Sequence, residues 1–335
     1  MQTSKPETPT PSASVVPRPT DSPLAHRAIR LADGRRLGFS DVGDKRGIPV
    51  FYFHGFPGSR LEATFFPVRG VRLVGIDRPG YGLSSPKYRR RLTDIAPDIE
   101  QLADALGFER FSLLGVSGGA PYAAACAVAL PERVSAIAFV CGLGPPEAPG
   151  MDQGRLRLLT DMGGRSFARL GVAMLGRQVV LRDWTLDKLR EARSKLPRVS
   201  ADQELMSGAL GRLMMENWRE GLARSSHGLA SDARIYSEPW PFALEAIDRP
   251  AALWHGLADN IVPPTIGQFY AAHVPGIKAH FPPEEGHLSV IVKNIASIGG
   301  CEAGPGSRRQ RRYRVGMRDV LAKAGQSVRR RDAHR

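Results

Sequence analysis

The segment RFSLLGVSGGAPYAA, residues 110–124, places a serine where one pattern of residues changes to another. The apolar run Phe111–Val116 predicts a buried strand, and the small residues from Ala120 onward predict a helix. Ser117 therefore lies on a sharp strand–turn–helix, where its backbone must adopt a strained conformation. Such a turn needs small residues two positions to either side, and Gly115 and Gly119 meet this need. The pattern predicts a serine nucleophile at the edge of a sheet.

Two backbone N–H groups are expected to face this serine. Gly118 starts the helix, so its N–H points to where the oxyanion of a tetrahedral intermediate would form. The apolar run Ile48–Phe53 is followed by HGFPGS, and we expect the N–H of Phe56 in that loop to be the second donor. The ring of His54 is expected to support the loop rather than to react.

A serine nucleophile requires a base to take its proton and a carboxylate to orient that base. Asp259 is the only carboxylate in the loop after the predicted strand 251–255, and the loop after Val140 has none. Of eight histidines, His287 alone follows the last predicted strand and precedes a helix. We predict Asp259 as the acid and His287 as the general base. Alternatively, Asp259 is a turn residue that binds only nearby amides.

Continuous apolar runs separated by helical patterns predict an α/β fold, with a mostly parallel central sheet flanked by helices. A turn at Asp33-Gly34 predicts an antiparallel hairpin at the start of the sheet. Between residues 145 and 245 only helix-like patterns remain, at 155–170, 185–193 and 203–218. The sequence therefore predicts a core of residues 28–144 and 246–299, with a helical lid inserted as residues 145–245.

The predicted lid is rich in methionine, which adapts to varied apolar ligands. We predict that Met214 and Met215 contact the substrate. The alternative is that both pack inside the lid itself, which is the more common role of apolar residues at helical spacing.

The two ends of the chain differ from this middle part. Residues 1–25 contain six prolines and eight Ser or Thr residues, which predicts a disordered leader over residues 1–27. Of the net charge of +14, +8 lies in residues 301–335, and we expect residues 300–335 to be a basic, disordered tail. A nucleic-acid partner is disfavoured because this tail has one aromatic residue, Tyr313, and no recognition motif.

No apolar run is long enough to span a membrane, and the first residues do not resemble a secretion signal, so a cytoplasmic location is expected. Cys126, Cys141 and Cys301 are too few and too scattered for a disulfide framework or a zinc site, and we expect the first two to be buried thiols. The sequence predicts no cofactor and no metal, and it leaves the oligomeric state open.

Five motifs in order resemble the α/β-hydrolase superfamily, specifically its lid-bearing microbial serine hydrolases of the esterase and proline-iminopeptidase group. They cover residues 30 to 295 and read HGFPGS from His54, DRPGYG from Asp77, GVSGG from Gly115, WHGLADNIVP from Trp254, and Gly286-His287. The resemblance implies an α/β-hydrolase fold with an inserted helical lid. It also implies a triad of Ser117, Asp259 and His287.

The superfamily includes many activities, so the motifs predict the machinery and not the substrate. Haloalkane dehalogenases and epoxide hydrolases use an aspartate where this chain has Ser117. Proline iminopeptidases typically have glycine and tryptophan where this chain has Phe56 and Gly118. We therefore expect hydrolysis of a carboxylic ester, or a related acyl bond, of a small to medium acyl substrate under the lid through an acyl-enzyme. The alternatives are a peptidase, a C–C bond hydrolase, a perhydrolase or a non-catalytic ligand-binding protein.

Overall fold

The computed structural model describes residues 25–66, 70–153, 156, 161, 166–183, 185–195 and 200–298. Within these residues, eight strands form one sheet in the order β1-β2-β4-β3-β5-β6-β7-β8. Pairing is antiparallel for β1 with β2 and for β2 with β4, and parallel for the other neighbours. The predicted hairpin and the mostly parallel sheet are confirmed. The strands are β1 (Arg27–Arg30), β2 (Arg36–Gly43), β3 (Ile48–Phe53), β4 (Val71–Ile76), β5 (Phe111–Val116), β6 (Val134–Val140), β7 (Ala251–Trp254) and β8 (Lys278–His280).

Helices follow the strands of the parallel part of the sheet. They are α1 (Ala96–Ala105) after β4, α2 (Ala120–Ala129) after β5, α8 (Pro264–His273) after β7 and α9 (Ser289–Ile298) after β8. Along β3, Phe51 and Phe53 belong to the apolar core that includes residues of α1 and α2. Val50 and Tyr52 belong to the core on the other face, with residues of α9. The sheet is therefore buried on both faces, which explains its continuously apolar strands.

Between β6 and β7 the described residues are helical and contain no strand. The helices are α3 (Ser166–Gln178), which runs into a π-helical turn (Val179–Asp183), then α4 (Leu186–Ser194), α5 (Ala201–Ser207), α6 (Ala209–Leu222) and α7 (His227–Tyr236). The single helix predicted over residues 203–218 is wrong, because Gly208 has an extended backbone and separates α5 from α6. Most of the helix predicted over residues 155–170 lies outside the described residues.

The described structure begins before residue 28. Arg60 donates to the carbonyl of Ala25 at 2.8 Å, and its Nη2 lies 2.6 Å from the Nδ1 of His26. The rest of the predicted leader and the whole predicted tail lie outside the described residues. No helix of the described part is long and apolar enough to cross a membrane.

Candidate active site

Ser117 lies on the strained turn that the sequence predicts. Its φ is +52°, a value that residues other than glycine rarely adopt. A Cβ on Gly115 would lie 2.7 Å from the Cα of Ala120, and one on Gly119 would lie 2.0 Å from the carbonyl oxygen of Phe53. Only glycine fits at these two positions, so the turn depends on both. The turn leaves Ser117 half-buried beyond the carboxyl end of β5.

His287 and Asp259 complete a chain of hydrogen bonds that starts at this serine. His287 Nε2 lies 3.0 Å from Ser117 Oγ, and His287 Nδ1 lies 2.8 Å from Asp259 Oδ2. The other oxygen of Asp259 accepts the N–H groups of Ile261 and Val262 at 2.8 and 2.9 Å. Asp259 thus binds nearby amides, as in the alternative of a turn residue, but it also holds the imidazole of His287. The structure brings together all three residues predicted from the sequence.

The charges of this group oppose the effect of burial. Burial by itself raises the pKa of Asp259, but His287 and the amide hydrogen bond from Val262 hold it below its usual value. Burial by itself lowers the pKa of His287, but the Asp259 carboxylate, 2.8 Å from its Nδ1, holds it above the usual value. The carboxylate therefore stabilises the imidazolium that forms when His287 takes a proton.

A second histidine, His255, lies beside the same carboxylate. Its Nε2 is 3.6 Å from Asp259 Oδ2 and 2.9 Å from the carbonyl oxygen of Val262. Burial lowers the pKa of His255, so this ring is neutral near pH 7. His255 braces the Asp259 loop, and the hydrogen bond to Ser117 is made by His287.

Cys141 also lies next to this group, at the end of β6. Its Sγ and ligand atoms of Asp259 and His287 all lie within 4.8 Å of one another. These three donors could hold a metal ion only if His287 gave up its hydrogen bonds to Ser117 or Asp259. Burial raises the pKa of the Cys141 thiol, so it is neutral near pH 7. Cys141 and Cys126 are both buried and free of disulfides, as expected.

The two expected oxyanion donors lie side by side. A Cβ on Gly118 would be 2.7 Å from the Cβ of Phe56 and 3.3 Å from its amide nitrogen. The structure thus packs Gly118 against Phe56, and a Cβ on Gly55 would lie 3.6 Å from the Cβ of Ser117, so the loop of Phe56 lies next to the serine, as expected of an oxyanion donor.

His54 lies under the Phe56 loop and is completely buried. Its Nδ1 is 2.8 Å from the carbonyl oxygen of Gly55, and its ring meets that of Tyr81 edge to face. Burial holds the pKa of His54 well below its usual value. A neutral, enclosed ring fits the expected supporting role.

Sequence reasoning missed a buried carboxylate under the same loop. Glu62 accepts hydrogen bonds from Tyr52 at 2.9 Å, from the Gly55 N–H at 3.1 Å and from Asn217 of α6 at 2.9 Å. Burial raises the pKa of Glu62. Its place in the short 3-10 helix (Arg60–Phe65), directly after the HGFPGS motif, is the only signal in the sequence that could have indicated it.

Met214 and Met215 are both buried in α6. Met214 precedes Asn217 by three residues, so both lie on one face of the helix, and Asn217 accepts the Ser59 N–H at 2.8 Å. Met215 lies about 100° further round the helix. Of the two, Met214 shares the face of α6 that meets the Phe56 loop.

The chain matches the family described as alpha/beta hydrolase fold over residues 48–294. It belongs to this family of hydrolases. The chain is also 26% identical over 270 residues to 2-hydroxy-6-oxononadienedioate/2-hydroxy-6-oxononatrienedioate hydrolase 2 of Pseudomonas putida, a match that covers 76% of this chain and 87% of that hydrolase.

Two further similar proteins match this chain over very different shares of its length. Proline iminopeptidase of Xylella fastidiosa is 34% identical over 125 residues, a match that spans 35% of this chain and only 39% of that enzyme. A thermophilic esterase from Thermogutta terrifontis superimposes with a TM-score of 0.56 and 20% identity, over 91% of this chain and 98% of the esterase. The structural likeness shows a shared fold.

Proposed function

We propose that this α/β hydrolase cleaves a carboxylic ester through an acyl-enzyme formed on Ser117. The observation that carries the proposal is the continuous chain from Ser117 Oγ through His287 to Asp259, with distances of 3.0 and 2.8 Å. An activated serine needs a base in contact with it and an acid that fixes the base. The esterase with the same fold supports an ester as the substrate.

In the proposed mechanism, Ser117 Oγ attacks the ester carbonyl carbon while His287 Nε2 takes the hydroxyl proton. The carbonyl oxygen becomes an oxyanion and is bound by the N–H groups of Phe56 and Gly118. His287 then gives its proton to the departing alcohol, which leaves the acyl group on Ser117. A water molecule attacks this acyl-enzyme while His287 takes its proton, and His287 then gives that proton to Ser117 Oγ as the acyl–oxygen bond breaks and the acid leaves.

The decisive experiment is labelling with a fluorophosphonate, followed by a series of p-nitrophenyl esters of increasing chain length. We expect the wild-type protein to be labelled and Ser117→Ala to remain unlabelled. The ester series then identifies the preferred acyl group. A wild-type protein that is neither labelled nor active on any ester would contradict the proposal.

A second candidate is hydrolysis of a C–C bond. The relative from Pseudomonas putida matches over most of its length, and its name gives 2-hydroxy-6-oxononadienedioate, a compound without an ester bond. The same serine, base and oxyanion donors can serve an attack on a ketone carbonyl. Fluorophosphonate labelling without ester turnover, together with cleavage of a vinylogous diketone, would favour this candidate.

Activity should rise with pH, because His287 must be neutral to take a proton. The Asp259 carboxylate is ionised near neutral pH and raises the pKa of His287, so the midpoint of kcat/KM should lie above the usual histidine value of 6.5. A pH-stat assay at constant ionic strength measures this profile. The residual activity of Asp259→Asn should show a lower midpoint. A wild-type midpoint below 6.5 would contradict the assignment of the base.

Met214→Ala should change the preference for acyl-chain length, because Met214 faces the Phe56 loop from α6. We expect the best chain to become longer, while kcat on that best ester stays within about threefold. Met215→Ala is the matched control and should leave the profile unchanged. If the two variants give the same profile as the wild type, the acyl group binds elsewhere.

A further inference from the structure

A fully buried carboxylate on α7, Asp232, is surrounded by hydrogen-bond donors. Arg78 reaches its Oδ2 through Nε at 2.9 Å and through Nη2 at 2.7 Å. Its other partners are Arg90, Tyr122 at 2.6 Å, Tyr81 at 3.1 Å and Tyr236 at 3.2 Å. Burial alone would raise the pKa of Asp232, but Arg78 and Arg90 lower it to about 2. Asp232 is therefore the anion that holds two buried cations in place.

Arg78 uses its remaining donors on the loop that precedes Phe56. Its Nη1 donates to the carbonyl of His54, and its Nη2 donates to the carbonyl of Gly55 at 3.0 Å. On the opposite edge of the first of these peptides, the Gly55 N–H donates to Glu62. The backbone of this loop is thus held from both sides by buried charged groups.

The Gly55 carbonyl and the Phe56 N–H belong to the same trans peptide. In a planar trans peptide, the C=O and the N–H point in opposite directions. Arg78 binds this carbonyl at 3.0 Å together with His54 Nδ1 at 2.8 Å, and by fixing the carbonyl these groups fix the direction of the Phe56 N–H. A cation on the carbonyl also polarises the peptide and makes its N–H a stronger donor.

We propose that Arg78 is a positioning residue that aims the Phe56 N–H at the oxyanion, and that Asp232 of the inserted helices keeps Arg78 in that position. The inference rests on the serine hydrolase function proposed above. The inserted segment touches the same site at a second point, where Tyr236 of α7 donates to the carbonyl of Gly118 at 2.6 Å. α7 thus contacts the Phe56 loop through Asp232 and Arg78, and it contacts Gly118 directly through Tyr236.

The test compares Arg78→Lys with Arg90→Lys. Both arginines pair with Asp232, but only Arg78 binds the Phe56 loop. A lysine at position 78 keeps the charge and lacks the fork that reaches the carboxylate and two carbonyls together. We expect kcat to fall about 10- to 100-fold for Arg78→Lys, with KM within about threefold. Arg90→Lys should keep kcat within about threefold.

Two readouts separate positioning from a general loss of structure. Fluorophosphonate titration counts the competent sites, and kcat is calculated per site. A trifluoromethyl ketone forms an adduct on serine whose oxyanion needs both donors, so its Ki should rise for Arg78→Lys by about the same factor as kcat falls. If Arg78→Lys folds poorly, Arg78→Gln replaces it in both measurements. The glutamine variant leaves the positive charge of Arg90 paired with the negative charge of Asp232. It should show the same loss of kcat and of ketone affinity.

The outcomes distinguish this inference from the function on which it rests. If the wild type is labelled and binds the ketone, but the Arg78 variants retain its kcat and Ki, the positioning role is wrong and the hydrolase function stands. A rise in KM at unchanged kcat also contradicts positioning. A wild type that neither reacts with the fluorophosphonate nor binds the ketone overturns the hydrolase function and this inference together.

Discussion

Replacing Ser117 or His287 by alanine is expected to lower kcat by about 10⁴- to 10⁶-fold in either case, and the double variant should lose little more than either one. The reason is that the serine hydroxyl, 3.0 Å from His287 Nε2, is a weak nucleophile unless the imidazole takes its proton. Once one partner is absent, the other has no function left to lose. Steady-state kinetics on the best p-nitrophenyl ester measure all three variants.

His255→Gln is the matched control for the histidine. His255 is more deeply buried than His287 and lies beside the same carboxylate, yet it binds the carbonyl of Val262. We expect its kcat to stay within about tenfold of the wild type. Losses that add up in the double variant would show that Ser117 and His287 do not act as one unit. If kcat falls as far for His255→Gln as for His287→Ala, the assignment of His287 as the base is wrong.

Asp232→Ala is expected to lower the free energy of unfolding by about 3–5 kcal/mol, because it leaves two buried arginines without their anion. The side chains of Asp232 and Arg78 are both 0% exposed, so water cannot replace the lost partner. Urea denaturation followed by circular dichroism measures the change. Since the pKa of Asp232 falls from 3.8 to about 2 on folding, its contribution should be complete above pH 3.8 and disappear as the pH falls through about 2.

Asp98→Ala provides the comparison for this effect. Asp98 is also buried and binds Arg35 through two hydrogen bonds, of 2.6 and 2.8 Å. The Arg35 side chain is 14% exposed, so it can turn to water when Asp98 is removed, and we expect a smaller loss of stability. Equal losses for the two variants would contradict the argument that burial of the arginines determines the cost.

The meeting of Ser117, His287 and Asp259 at one edge of the sheet could be predicted because short-range rules place each residue. The strand–turn–helix around Ser117 is encoded by its own neighbours, and chain order assigns Asp259 and His287 to later strand ends. Each of these residues is close in sequence to the element that positions it. The fold assignment succeeds for the same reason, since parallel strands buried on both faces are continuously apolar.

The buried charged residues behind the site, such as Asp232 and Arg78, could not be predicted in this way. Asp232 is one acidic residue on a helix, and no local pattern distinguishes it from an exposed one. The sequence analysis predicts no helix over α7, and Gly228 lowers the helix propensity of this segment. That glycine is required by packing, since a Cβ there would lie 2.4 Å from a ring carbon of Tyr81. Contacts between residues more than 140 positions apart, such as Arg78 with Asp232, leave no periodic signal in one sequence.

The position of Asp232 limits how this enzyme can be engineered. Its carboxylate lies on α7, in the helical segment between β6 and β7, whereas Arg78 and Arg90 lie between β4 and α1. Grafting the corresponding helices of a relative into this position would therefore leave two arginines buried and unneutralised unless the graft brings an acid to the same place. A library that exchanges helices between β6 and β7 should hold Asp232 fixed, or vary it together with both arginines. Substitutions at Met214 of α6 leave this charge balance unchanged, because neither Asp232 nor the two arginines lie on that helix.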